Sequence, residues 1–98
     1  MNMDNLNNHI FSSAHLLKTI GHPIRLQIII ALSQYSEMTV TQLSNFLSID
    51  QPVMSLHLAI LRKKHVIKAQ KKGKLAIYSI EDVSVKQIVN LAYHSREL

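Results

Sequence analysis

The sequence predicts a mainly α domain of five helices, with one β-hairpin between the fourth and the fifth. Three observations lead there. Apolar residues recur at helical spacing in four successive segments from Ile10 to about residue 64, and again after Asp82. Between them, two β-prone runs at 66–70 and 75–80 flank Lys71-Lys72-Gly73-Lys74, where Gly73 supplies the positive φ of a hairpin turn. Finally, 98 residues at 47% hydrophobic and 17% charged suit one domain with one modest core and are too apolar for a disordered chain.

Each element has its own signal. Residues 1–9 are polar and Asn-rich, which predicts a flexible tail ahead of a domain spanning 10–98. Ile10, Phe11, Ala14, Leu17 and Ile20 follow a helical stripe that Gly21 ends, and Pro23 suits the first turn of the next helix. That helix, 23–34, holds Leu26 and the run 28–32; three successive isoleucines also suit a buried strand, but the length and leading proline favour a helix apolar on most sides. Thr39 and Gln42 form a capping box before a short helix with Val40, Leu43 and Leu47 on one face. A three-residue break at 48–50 follows. Asp50 is the expected N-cap of a helix from Gln51 to about Lys64, whose buried stripe is Met54, Leu58 and Leu61. Glu81 and Asp82 stand at the dipole-favoured start of the last helix, which carries Val85, Ile88, Val89 and Ala92 on one side.

The net charge of +5 is unevenly placed. Residues 51–80 contain seven cations (Arg62, Lys63, Lys64, Lys68, Lys71, Lys72, Lys74) and no acid, leaving four cations against all six acids elsewhere. A basic protein whose charge comes from one contiguous third reads as a polyanion binder. The longest apolar run, 28–32, is far too short to span a bilayer, so no membrane partner is expected. With no cysteine there is no disulfide, thiolate ligand or thiol switch, a pattern that fits the cytoplasm.

Two short helices around a tight break, followed by a basic hairpin, make a winged helix-turn-helix. A B-DNA major groove about 12 Å wide admits one helix, so the second helix must stand proud of the core while the hairpin reaches the neighbouring backbone. From Ala14 to Tyr93 the chain resembles the ArsR (SmtB) family of winged-helix repressors. The string at 16–26, with His22-Pro23-Ile24-Arg25-Leu26, resembles the family's opening pattern. Residues 51–58 with Leu61-Arg62 resemble its recognition helix, and Lys72-Gly73-Lys74 with residues 77–80 its wing. The resemblance implies a homodimer built from the first and last helices, binding an imperfect inverted repeat, repressing a nearby promoter and releasing DNA on an unidentified signal. Phe11, Ala14, Leu17, Val85, Ile88, Val89 and Ala92 are the expected dimer interface. From amphipathicity alone the first helix could equally cover its own core.

With Met54, Leu58 and Leu61 turned inward, Gln51, Pro52, Ser55, Leu56, Ala59 and Arg62 face out. Gln51 and Ser55 offer hydrogen bonds to base edges or phosphates, and Leu56 an apolar contact to a thymine methyl. Arg62 and Lys63 are expected to anchor phosphates, with Lys71, Lys72 and Lys74 along the wing. His57 lies beside the buried stripe, either touching a phosphate or bracing the helix. Two departures from the family stand out: Leu56 and Ala59 fill outward slots where relatives often carry polar or basic side chains, and Asp50 sets a carboxylate where relatives often use serine.

Metal-sensing relatives use cysteines on the third helix or an Asp/His set on the last. Here Asp82 matches the first ligand position of the second set, but Ser84, Ser95 and Leu98 fall at the others, so no metal or other cofactor is expected. The six histidines show no i, i+4 pairing within a helix; His65 falls where a C-cap glycine is common. Neither paired carboxylates, an ordered nucleophile–base pair nor a phosphate-cradling glycine loop is present, and an enzyme is not expected. The reading is therefore a sequence-specific double-stranded DNA-binding regulator. Its alternative is a winged-helix protein-interaction module whose DNA affinity is incidental.

Overall fold

Helix α2 (Pro23–Tyr35) is the element on which the others pack. Ile28, Ile29, Ala31 and Leu32 are buried, with Leu26 and Ile30 half-buried, so the triple isoleucine belongs to a helix apolar on most sides. In the computed structural model, which describes residues 2–97, the chain runs α1 (Met3–Ile20), α2, α3 (Val40–Leu47), α4 (Gln51–Lys63), β1 (Ile67–Lys72), β2 (Leu75–Ile80) and α5 (Val83–His94). The four other helices and β2 all touch α2. The expected five helices and hairpin are present. Met1 of the expected tail and Leu98, one of the failed ligand positions, lie outside the described residues.

α1 starts earlier than its apolar stripe suggested. Asn2 caps it, its side-chain oxygen accepting from the Asn5 amide at 2.9 Å, and Asp4 sits in the first turn against the helix dipole. The helix therefore begins at Met3, and residues read as a tail extend the stripe through Met3 and Leu6. Only its end is buried, at Thr19 and Ile20; Met3, Ile10, Phe11 and Leu17 are exposed. Leu16 and Ile20 pack on the core, while most of the stripe before them is left exposed. Gly21 follows because a Cβ there would meet the Leu17 carbonyl oxygen at 2.9 Å.

The hairpin is antiparallel with Lys72 opposite Leu75 and Ile67 opposite Ile80. Its first strand is longer than expected, absorbing Lys71 and Lys72, so the turn is the two residues Gly73 and Lys74. Gly73 has φ 62° at the first central position, as a tight hairpin turn of this kind requires. A bridge between Met38 and Tyr78, with amides donating both ways at 2.8 and 3.0 Å, ties the hairpin base to the segment before α3.

α5 changes one expectation. Val85 and Val89 are buried in the chain's own core, so they leave the expected interface list. The side of α5 facing α2 must cover α2 before it can serve a partner, which leaves Ile88, Leu91 and Ala92 outward. The core closes around Leu43, Met54, Leu58, Leu61, Val66 and Ile67. Leu61 is fully buried; Leu61→Ala is expected to lower unfolding free energy by about 2–5 kcal/mol, measured by urea denaturation.

Candidate nucleic-acid interface

α3 and α4 are held at a fixed angle by local bonds. The capping box at Thr39 and Gln42 is complete: the Gln42 amide donates to Thr39 Oγ1 at 3.1 Å and the Thr39 amide to Gln42 Oε1 at 2.9 Å. Ser48 closes α3 in the left-handed region, φ 55°, and the Ile49 amide reaches back to the Ser44 carbonyl at 3.0 Å. Gln51 then donates its side-chain amide to Thr41 Oγ1 at 2.8 Å, clamping the start of α4 onto α3. Thr41 was not singled out in the sequence; nothing in its spacing announces a partner ten residues away.

Asp50 stands at the N-cap position of α4 but makes no side-chain capping bond. An N-cap side chain seeks the amide of the second or third helical residue, and here the second is Pro52, which has none. Its carboxylate is exposed beside the helix start.

Along α4 the inward stripe is as expected: Met54, Leu58 and Leu61 are buried, while Gln51, Pro52, Ser55, Leu56, Ala59, Arg62 and Lys63 are exposed. Leu56 is 59% exposed, an apolar side chain held out on the reading face. The helix ends in a Schellman arrangement. His65 takes φ 59°, its amide donates to the Arg62 carbonyl at 3.0 Å, and the Val66 amide donates to the Leu61 carbonyl at 3.0 Å. That turn leads into β1, and a groove lined by Ser55, Ala59, Arg62 and Tyr78 lies between the helix and the hairpin base.

The wing lysines are not equivalent. Lys71 and Lys72 are successive strand residues and so project from opposite faces of the hairpin, while Lys74 sits in the turn. Lys72 Nζ lies 3.5 Å from Glu37 on the loop before α3. Among the described residues it is the one wing lysine with an acidic partner that close, and a phosphate must displace that partner to use it.

His57 does not reach the outer face. It is 8% exposed and its ring packs on His22 with centroids 4.6 Å apart, so of its two expected roles it braces the helix and leaves the list of contact residues. Its Nδ1 accepts from Arg25 Nε at 3.3 Å. Burial, then His22, then Arg25 push its pKa below the ordinary 6.5. In the sequence Arg25 is one residue of the opening pattern at 16–26; its bond to His57 forms only because α2 and α4 meet.

Asp82, the one match to a sensing ligand, caps α5 by accepting from the Ser84 and Val85 amides at 3.0 and 3.3 Å. Among the described residues no three His, Asp or Glu side chains gather as a metal site would need.

The family model for bacterial regulatory proteins of the arsR family matches residues 22–68, from the cap of α2 to the start of β1. An HTH-type transcriptional regulator of Methanocaldococcus jannaschii is 38% identical over 81% of this chain and 89% of its own length. The chain belongs to the ArsR family. The transcriptional repressor PagR of Bacillus anthracis is also 38% identical, over 80% of this chain and 78% of its own. Its crystal structure superimposes with a TM-score of 0.80 at 35% identity, covering 88% and 98% of the two chains. Reduced HlyU from Vibrio cholerae gives a TM-score of 0.87 at 26% identity, covering 98% and 100%. This ArsR-family protein is thus a transcriptional regulator with a DNA-binding winged helix-turn-helix, and not an enzyme.

A pH dependence of stability follows from His57. Unfolded, the imidazole takes a proton near its ordinary pKa; folded, it resists. Its contribution is therefore full above that value and is lost as pH falls through the lowered folded one. Urea midpoints are expected to drop below about pH 6.5, and to drop less in His57→Gln.

Proposed function

We propose that the chain acts as a homodimer that binds an inverted-repeat operator in double-stranded DNA and represses the adjacent promoter in the cytoplasm. One observation carries the DNA side: the acid-free stretch 51–80 is displayed as an exposed helix face and hairpin, with Met54, Leu58, Leu61, Val66 and Ile67 turned inward. Gln51 and Ser55 read base edges or phosphates from the first turns of α4, with Pro52 beside them, and Leu56 covers a thymine methyl. Arg62, Lys63, Lys71 and Lys74 neutralise phosphates, and Lys72 joins them when it leaves Glu37.

The dimer side is supported by α1. Its 18 residues reach roughly 27 Å, and most of their length carries uncovered apolar side chains. Its Asn, Ser and His residues are weak helix formers, so packing against a partner surface would stabilise it. Phe11, Ala14 and Leu17 on α1, with Ile88 and Ala92 on α5, form the contact. An apolar groove beside them, between Leu26, Ile30, Ala92 and Tyr93, extends the surface. No helix among the described residues is long and apolar enough to cross a membrane. Repression is supported by the likeness to PagR, a repressor by name; HlyU is an activator by name.

Leu56 also favours a second reading, a protein-interaction module whose basic surface is incidental. Replacing Lys71, Lys72 and Lys74 together with glutamate separates the two. Promoter control in cells is expected to be lost, and its survival would favour the interaction module. In binding assays, log affinity is expected to fall linearly with log salt, and Lys71→Ala to reduce that slope by about one. Phe11→Asp is expected to yield a monomer in analytical ultracentrifugation and to weaken binding to the full inverted repeat by about 10²-fold or more, because the second half-site loses its tether.

A further inference from the structure

Arg25 occupies the first turn of α2 and bonds in two directions. One guanidinium nitrogen donates to the Thr19 carbonyl at 2.8 Å, among the last carbonyls of α1 that have no partner within the helix. Its Nε donates to His57 Nδ1 at 3.3 Å, in the middle of α4. His22 completes the cluster. Its own Nδ1 caps α2 by accepting the Ile24 amide at 3.1 Å, and its ring is tilted 38° against that of His57. One side chain therefore joins the root of α1, the start of α2 and the centre of α4. This cluster lies beneath the DNA-reading face, outside the contact residues.

The chemistry of the joint limits its protonation. Nδ1 of His57 can accept only while the imidazole is neutral with its proton on Nε2; an imidazolium has no acceptor and would face a guanidinium. The groups whose charge acts on His57 are His22 and Arg25, both from α2 and its cap, and from α1 comes the Thr19 carbonyl through Arg25. Neither is a carboxylate, so among the described residues no group acting on His57 compensates a proton there.

We propose that Arg25 is a positioning residue which, through neutral His57, sets the pose of α4 against α1, and so the geometry in which the DNA-reading helix is presented. The inference rests on the reading of α4 as the element that enters the groove. Phosphate contacts from the wing are indifferent to this pose; base contacts are not. Losing the joint therefore lowers discrimination between sequences more than it lowers general DNA affinity.

The test uses a duplex recovered by selecting random DNA on the wild-type protein at neutral pH, and a shuffled duplex of the same composition. The ratio of the two affinities cancels the added charge of exposed histidines as pH falls. As pH falls from about 7.5 through the His57 titration, followed by nitrogen NMR, the wild-type ratio is expected to fall by about tenfold. In His57→Gln, whose side-chain oxygen accepts at every pH, the ratio is expected to stay level. Arg25→Lys keeps the charge but loses the Nε donor, and should show a lowered ratio at both ends of that range. Parallel profiles for wild type and His57→Gln, or a level wild-type profile, would overturn the proposal. Should His57→Gln not fold, nitrogen NMR of the wild-type imidazole decides. A His57 titration that tracks the affinity ratio supports the joint, and one that does not refutes it. A ratio of one at neutral pH already would remove the DNA-reading assignment of α4, and this inference with it.

Discussion

What the domain presents to a duplex depends on burying one stripe of α4. Met54, Leu58 and Leu61 enter the core around α2, and a helix held by three apolar residues on one side must show Gln51, Ser55, Leu56 and Arg62 on the other. The rest of the winged unit serves this arrangement. The Thr39–Gln42 box and the Gln51–Thr41 bond hold α4 against α3, and the Schellman turn at His65 sends the hairpin off at a set direction. A loosened stripe would cost the reading face its orientation before it cost the protein its charge.

Electrostatics then separate anchoring from reading. The cations of α4 sit at its C-terminal end, Arg62 and Lys63, where they also complement the helix dipole. The N-terminal turns of α4 are uncharged apart from Asp50. On the proposed reading, base recognition would rely on neutral hydrogen bonds and apolar contact, and general attraction on the wing and the helix end. The contact between Lys72 and Glu37 is solvent-exposed and worth little in isolation, so a phosphate can replace it at small cost.

α1 poses a different constraint. Among the described residues it is held to the domain at its root, and its stripe from Met3 to Leu17 stays largely exposed. An apolar helix face of this length is the mark of an association surface. Because the root of α1 is tied to α4 through Arg25, whatever packs on α1 is mechanically connected to the reading helix.

The sequence alone determined the helix count, the hairpin, the inward stripe of α4, the left-handed turn at His65 and the cationic segment. Each of these is written in short-range periodicity, turn chemistry or charge, which neighbouring residues settle among themselves. Only the tertiary structure decided that His57 is a buried brace, that Val85 and Val89 belong to the core, that Asp50 leaves its helix uncapped and that Arg25 joins three helices. Those outcomes turn on which faces meet across tens of residues. His57 lies at the edge of its helix's apolar stripe, and only the arrival of His22 and Arg25 from α2 makes it an inside residue. The start of α1 was legible in principle, since Asn2 and Asp4 are local signals, but a run of asparagines resembles a tail until its cap bond is seen.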